Sequence, residues 1–537
     1  MWTQELDPFG NRYLSALVAA IPVFFLFWAL AIRRLKGHVA AVGAMALSVL
    51  VAILAFGMPA ALAVASTLQG ALYGLFPIGW IVLAAVFLYR VTVESGQFAI
   101  IRDSIASLTA DRRLQALLIA FSFGAFLEGC AGFGAPVAIS AAMLVGLGFE
   151  PIYAAGLCLI ANTAPVAFGS IGIPIVVAGQ VTGIDMFQIS KMVGRQLPVL
   201  SLIVPFWLVL VMSGRKGARE VWPAALVSGG SFAVAQWWTS NYLGPLLPDI
   251  ISSLVSIVCL VVFLHVWRPA TTFRFQKEAA SAHPHGLHPL RTIAWAWSPF
   301  IVLTILVANW GVRPVKALLD TTTLTFPFPM IHNAVVVPGS ATPLPAVFTF
   351  NWLSATGTAT LLAALVSVVI ARMRPVRALS LFAGTLTSMA VPLLTVASVL
   401  GLAYIGNSSG MTRAMGMALA STGPLFPIFS PVLGWLGVFM TGSDTSSNAV
   451  FGRLQTVSAE QTGMSPLLAI ASNSSGGVTG KMISPQSIAV ACAATGLVGH
   501  EASLFRFTLW HSVLLLAIVA AITWLQATVL TWMIPTV

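Results

Sequence analysis

Charged side chains are scarce in this sequence. Of 537 residues, 26 are Lys or Arg and 15 are Asp or Glu, 8% in all. A soluble chain of this length would carry about a quarter. The composition is 58% hydrophobic and the mean hydropathy is +0.95, so most of the chain must sit in lipid rather than water. Cysteine is also rare. Cys130, Cys158, Cys259 and Cys492 all lie in apolar stretches and form no C-x-x-C pair. That excludes a disulfide framework and a cysteine zinc site, and leaves buried inert thiols. No H-E-x-x-H occurs. "SGGVTGKM" (475–482) approaches a phosphate loop but has Ser475 where the pattern needs Gly, and Met482 where it needs Ser or Thr. "GNSSG" (406–410) fits G-x-S-x-G without the strand-turn-helix setting of a nucleophile elbow. The net charge of +11 comes without a basic run interleaved with aromatics. It reads as loop anchors at a membrane, not as a nucleic-acid surface. No polar stretch is long enough for a soluble signalling domain.

What the sequence has in abundance is long apolar runs. Residues 14–32 and 512–534 each carry no charge over about the length that crosses a bilayer. Similar windows recur along the chain. The expectation is an all-α polytopic membrane protein with about 12–14 membrane segments, roughly twelve full spans among them. The first window could pass for a signal peptide. Only Arg12 precedes it as a basic residue, however, and Glu5 and Asp7 stand before that, so it reads as a permanent span.

Basic clusters orient the chain. "RRLKGH" (33–38), "GRKGAR" (214–219), the loop 267–290 and "RMRPVR" (372–377) read as cytoplasmic, which puts the N-terminus outside. The loop holds His283, His285 and His288, with Glu278 as its acidic neighbour, and reads as a solvated segment rather than a metal site. The segment 313–350 reads as an external loop. After the cytoplasmic loop the order of spans restarts with opposite sense, the charge pattern of inverted repeats. The expected division is 1–212 as the first repeat, 213–293 as connecting spans and loop, and 294–537 as the second repeat.

The halves share words as well as charge. "GAFLEG" (124–129) matches "GVFMTG" (437–442), with Gly129 opposite Gly442. Asn162, Gly169 and Pro174 match Asn473, Gly480 and Pro485, with spacings of seven and five in both sets. Arg195 and Arg506 keep the same offset and read as helix-end markers. In both halves Gly, Pro, Ser, Thr and Asn interrupt the apolar pattern. A broken helix frees N–H and C=O groups that lipid cannot satisfy, so it survives only inside protein or beside a wet cavity. Paired interruptions in corresponding places point to a transporter's binding site. Close packing through small residues would explain the glycines. It would not explain Glu128, Asp444, Asn162, Asn473 and Lys481 at the same places.

The long words "FLEGCAGFGAPVAI", "YAAGLCLIANTAPVAFG", "WLGVFMTGSDTSSNA" and "GGVTGKMISPQSIA" resemble the bacterial L-lactate permease family. The similarity runs over nearly the whole chain, including "DPFGN" near the start and "LVGHEASLFRFT" near the end. This resemblance implies proton-coupled symport of L-lactate, and with it D-lactate and glycolate, across the bacterial cytoplasmic (inner) membrane. It also implies inverted repeats with re-entrant hairpins. Related sodium-coupled carriers have Ser-Asn-Thr at hairpin tips. Here the similar positions read Ala161-Asn162-Thr163 and Ser472-Asn473-Ser474, each departing at one residue.

Lactate is a small monoanion with one hydroxyl. N-terminal ends of broken helices would face its carboxylate. The nominated substrate contacts are Gly129, Asn162, Thr163, Gly442, Ser443, Asn473, Ser474, Ser475 and Lys481. Glu128 and Asp444, beside the matched glycines, are nominated to carry the proton. The alternative for them is a fixed ion pair, Asp444 with Lys481 or Glu128 with an arginine. For Lys481 the alternative is snorkelling to an interface. No organic cofactor and no metal is expected, only the proton as coupling ion. The partners expected are a small monocarboxylate and the lipid bilayer, with homo-oligomer formation left open. Sodium coupling and an intramembrane enzyme acting on a small acid stand as the other readings.

Overall fold

The computed structural model describes residues 1–33, 35–130, 132, 134–275, 288–338 and 343–536. His283 and His285 of the cytoplasmic loop lie outside the described residues. Helices dominate the rest. Nine are long and apolar enough to cross a membrane, or eleven if each of two bent pairs counts as one span. Two further apolar helices, Pro136–Gly146 and Thr356–Ile370, are too short for that count. Together these spans, bent pairs and short helices accord with the expected 12–14 membrane segments. Residues 14–32 are one of the bent pairs. They form Arg12–Ala19 and Ile21–Leu30 with a 44° bend between them, where Pro22 starts the second helix and cannot continue the first.

Two of the basic clusters, 214–219 and the start of the loop 267–290, meet at Arg113 at one end of the bundle. There Arg113 pairs with Asp111 at 2.8 Å and Glu220 at 2.7 Å and donates to the Thr271 carbonyl at 2.7 Å. Arg377 pairs with Glu94 at 2.6 Å. By the excess of Lys and Arg this is the cytoplasmic end. The opposite end carries the N-terminus and the segment expected as a plain external loop. That segment is partly structured: Leu324–Pro327 pairs antiparallel with Val347–Phe350, and Val335–Val336 runs parallel to Trp2–Thr3. β-branched and aromatic residues in "LTFP" and "VFTF" favour that pairing.

Two re-entrant hairpins enter from opposite ends. The first has arms Arg112–Cys130 and Ala135–Gly146. Both open ends lie at the cytoplasmic side: the Arg112 N–H donates to the Phe273 carbonyl at 3.1 Å, and Phe149 meets Phe275 with ring centres 5.2 Å apart. The second has arms Phe426–Thr441 and Asp444–Thr462. Its open ends lie outside, where Arg453 reaches the Thr182 carbonyl and Ser458 donates to the Gly416 carbonyl at 3.1 Å. Gly442 makes its sharp tip in the left-handed region at φ +69.

Each hairpin is followed by a broken helix. In the first half Pro151–Ala161 and Val166–Thr182 meet at 65°. Ser170, Ile171 and Gly172 all have positive φ there. A β-branched residue such as Ile171 seldom adopts that conformation, and it costs about 1–3 kcal/mol. Gly172 also lets the carbonyl of Pro245 approach to within 2.1 Å of where a Cβ would stand. In the second half Pro466–Gly480 runs into a short turn, Lys481–Ile483, before Pro485–Thr495 begins. Ser484 caps that last helix by accepting from the Ser487 N–H at 3.2 Å, and Pro485 takes the first position, where its missing N–H costs nothing. Residues 473–480, which the sequence marks as part of the interruption, are regular helix. The break itself is only Lys481–Ser484.

The segment 213–293 does more than connect. A bend around Gly214 (φ +67) separates two spans within Leu197–Tyr242. The next helix, Pro248–Val266, packs its start against the first hairpin at Gly129, where a Cβ would meet the Asp249 Cβ at 2.8 Å.

Candidate substrate site

The hairpin tips and helix breaks converge inside the protein. A cavity of about 80 Å³ lies between them, lined by Glu128, Ser170, Ser443, Asp444, Lys481 and Gln486 among others. On this measure a water needs roughly 10–15 Å³, so the space suits a small organic anion and nothing much larger. Four helices begin at its wall: Ala135–Gly146, the helix that resumes after Gly172 and runs to Thr182, Asp444–Thr462 and Pro485–Thr495. Their N-terminal dipole ends favour negative charge in the space between them.

Lys481 is the only cation among the described residues that line this cavity. Its Nζ lies 2.6 Å from Glu128 Oε1, and both side chains are almost fully buried. The second carboxylate oxygen of Glu128 accepts from Asn162 Nδ2 at 2.9 Å. Gly169 makes room for this carboxylate, since a Cβ there would stand 2.7 Å from Glu128 Oε1. The pairing differs from both alternatives weighed above: Lys481 bonds to Glu128, not to Asp444, and it does not snorkel.

Asp444 sits at the first turn of the second hairpin's inner helix, after its cap Ser443. Asp444 Oδ2 accepts from Ser474 Oγ, and from Asn448 Nδ2 at 3.3 Å. Its other oxygen is buried with no hydrogen-bond partner. Asn448 in turn donates to the Pro174 carbonyl at 3.1 Å, which ties the hairpin to the first broken helix.

The nominated residues thus separate. Glu128, Gly442, Ser443, Asp444 and Lys481 line the cavity. Asn162 and Ser474 stand behind it, each bonded to one of the two carboxylates. Gly129, Thr163, Asn473 and Ser475 do not line it. Gly129 faces Asp249. Asn473 is held in a buried network, donating to Asn448 Oδ1 at 2.8 Å and accepting from Gln455 Nε2 at 3.0 Å. Thr163 Oγ1 and Ser475 Oγ are buried without partners. The matched asparagines therefore differ: one serves the cavity's edge, the other the packing of the second half. Arg195 donates to Asn241 and to the Met533 carbonyl, at helix ends and away from the cavity.

Sequence reading missed Gln486 and Ser487, which line the cavity, and Asp249, which packs against Gly129. Asp249 is 1% exposed, and neither carboxylate oxygen has a hydrogen-bond partner. It feels both Glu128 and Lys481 electrostatically. The available signal was a lone acid opening an apolar helix in "LLPDIISS" (246–253).

Sequence comparison shows the family. The family model described as L-lactate permease matches residues 15–530. An L-lactate permease of Escherichia coli strain K12 is 55% identical, covering 100% of both chains. A glycolate permease, GlcA, of the same strain is 55% identical over 99% of each chain. Among solved structures, the YdaH transporter of Alcanivorax borkumensis aligns over 86% of this chain and 87% of its own, with 16% identity and a TM-score of 0.43. By the length and identity of the sequence matches, this polytopic membrane protein belongs to the L-lactate permease family.

Proposed function

We propose that this chain takes up L-lactate, D-lactate and glycolate across the bacterial cytoplasmic membrane by proton symport. The observation that carries the reading is Lys481: a lone buried cation in an anion-sized cavity, ringed by four helix N-termini and already holding one carboxylate. The names of the relatives supply the substrate class, a short 2-hydroxymonocarboxylate.

The coupling follows from charge balance. Lys481 and Glu128 neutralise each other in the empty cavity. A substrate carboxylate that binds Lys481 adds one negative charge to a water-poor space, which is costly. A proton taken up by Glu128, or by Asp444 from its ionised form, offsets that added charge, so anion and proton travel together and loading leaves the net charge of the site unchanged. Ser443, Gln486 and Ser487 offer hydrogen bonds to the substrate hydroxyl from different walls, which suits both enantiomers of lactate. The working units on this reading are residues 1–212 and 294–537, with 213–293 between them. Sodium coupling finds less support, because the Asn473 side chain is committed to Asn448 and Gln455.

Uptake into proteoliposomes tests this directly. An imposed gradient, acid outside, should drive accumulation of labelled L-lactate, with competition from D-lactate and glycolate. Stimulation by a sodium gradient alone would overturn the coupling, and binding without counterflow would overturn transport.

A further inference from the structure

A second, larger cavity of about 380 Å³ lies toward the outer end of the protein. Its wall includes Gln69, Gln180, Tyr404, Arg413 and Arg453. The two arginines lie in the same cavity and repel one another electrostatically. Neither forms an ion pair with a carboxylate among the described residues. Among the described residues the one side-chain hydrogen bond from this pair is Arg453 Nη1 to the Thr182 carbonyl, at a long 3.5 Å. Glu460, two turns further along the Arg453 helix, acts on it at a distance without pairing. Two half-buried guanidinium groups with no carboxylate in contact are costly to hold together. Guanidinium donors in a fixed fork are suited to carboxylate.

The walls of this cavity are stiff. Gln180 Nε2 donates to the Tyr404 hydroxyl at 2.7 Å, and Tyr404 stacks on Tyr73 with ring centres 5.6 Å apart. Gln4 closes the outer rim by donating to the carbonyls of Asn407 and Ser408 at 2.9 and 2.8 Å. Two helices line both cavities. Gly169–Thr182 contributes Pro174 to the inner one and Gln180 to the outer. Asp444–Thr462 contributes Asp444 to the inner one and Arg453 to the outer. Nine residues of helix separate Asp444 from Arg453, roughly 13 Å at 1.5 Å per residue.

We propose that the outer cavity is a second binding site, for a small carboxylate anion, in which Arg413 and Arg453 hold the substrate before it passes to Lys481. The proposal rests on the transport reading above. An outer cationic site raises the local concentration of an anionic substrate and does so less as salt screens it. It acts on capture and not on the movement that follows.

Purified protein in proteoliposomes, with labelled L-lactate as the probe, tests the site at low and high ionic strength. The double variant R413Q/R453Q should raise KM about tenfold at low ionic strength, lose the salt dependence of KM, and keep Vmax. A KM and salt dependence equal to wild type would overturn the proposal. So would a fall in Vmax at unchanged KM, which is the mark of a structural role. If the glutamine variants fail to fold, R413K/R453K decides: the retained charge should keep the salt dependence, and its loss would count against the site. Absence of lactate uptake by the wild type would fail the transport reading instead, so the two failures are distinguishable.

Discussion

Lys481 Nζ and Glu128 Oε1 stand 2.6 Å apart although 353 positions separate them in the chain. Glu128 comes from the tip of the first hairpin and Lys481 from the break of the second half's helix. The frame around them repeats, but the pair does not: Lys481 corresponds to Ser170 in the first half, and both line the same cavity. A nearly symmetric scaffold thus holds one cation, which is what a monoanion needs.

Lys481→Gln should abolish lactate uptake, lowering it more than about a hundredfold. It should also destabilise, because it strands a buried Glu128; breaking such a pair costs about 3–5 kcal/mol. The double variant K481Q/E128Q should recover most of the melting temperature in detergent but none of the uptake. Thermal unfolding and vesicle uptake, measured on the same preparations, separate the two effects. Near-normal uptake by K481Q would remove the lysine from the substrate's path.

Asp444→Asn should keep lactate counterflow and lose acceleration by a proton gradient. On the proposed symport, acid outside should raise net uptake by the wild type; in the variant the imposed gradient should make no difference. The amide retains hydrogen bonds toward Ser474 and Asn448, so the fold should hold. Loss of counterflow as well would make Asp444 a substrate ligand rather than a proton carrier.

Much of this was legible in the sequence because lipid permits so few backbone solutions. Apolar length revealed the spans. Paired Gly and Pro at fixed spacing revealed the breaks. The cavity was half legible. Glu128, Asp444 and Lys481 stood out because charge is rare here, but their pairing depends on how two distant segments meet. Asn473 misled for the same reason that Asn162 did not: equal position in a repeat fixes the backbone, while partners come from unlike neighbours. Asp249 was hidden because one acid at a helix start usually serves only as a favourable first-turn charge.

The second half is held together by glycines at which no side chain fits. A Cβ on Gly434 would stand 1.8 Å from the Asn473 carbonyl oxygen, and one on Gly476 would stand 2.1 Å from that of Pro431. Gly434→Ala or Gly476→Ala should force the hairpin arm off the broken helix, with a loss of about 1–3 kcal/mol or more. Gly146→Ala meets nothing within 4 Å and should leave stability unchanged. Melting temperatures of the three variants check this; an unshifted Gly434→Ala would mean that these helices are not packed so closely.

Asp249 gives the sharpest test of whether a buried group is kept for function. Its carboxylate is enclosed beside Gly129 with neither oxygen hydrogen-bonded, an arrangement that lowers stability. A side chain of similar size without polar atoms removes that cost. Asp249→Leu should therefore raise stability by about 1–2 kcal/mol, seen as a melting point higher by a few degrees. The same variant should cut lactate uptake, because Asp249 contributes to the field at Glu128 and Lys481. Opposite movement of stability and transport is the expected signature, since groups retained against the interest of the fold mark working sites. A more stable variant with full uptake would show that Asp249 has no part in the cycle.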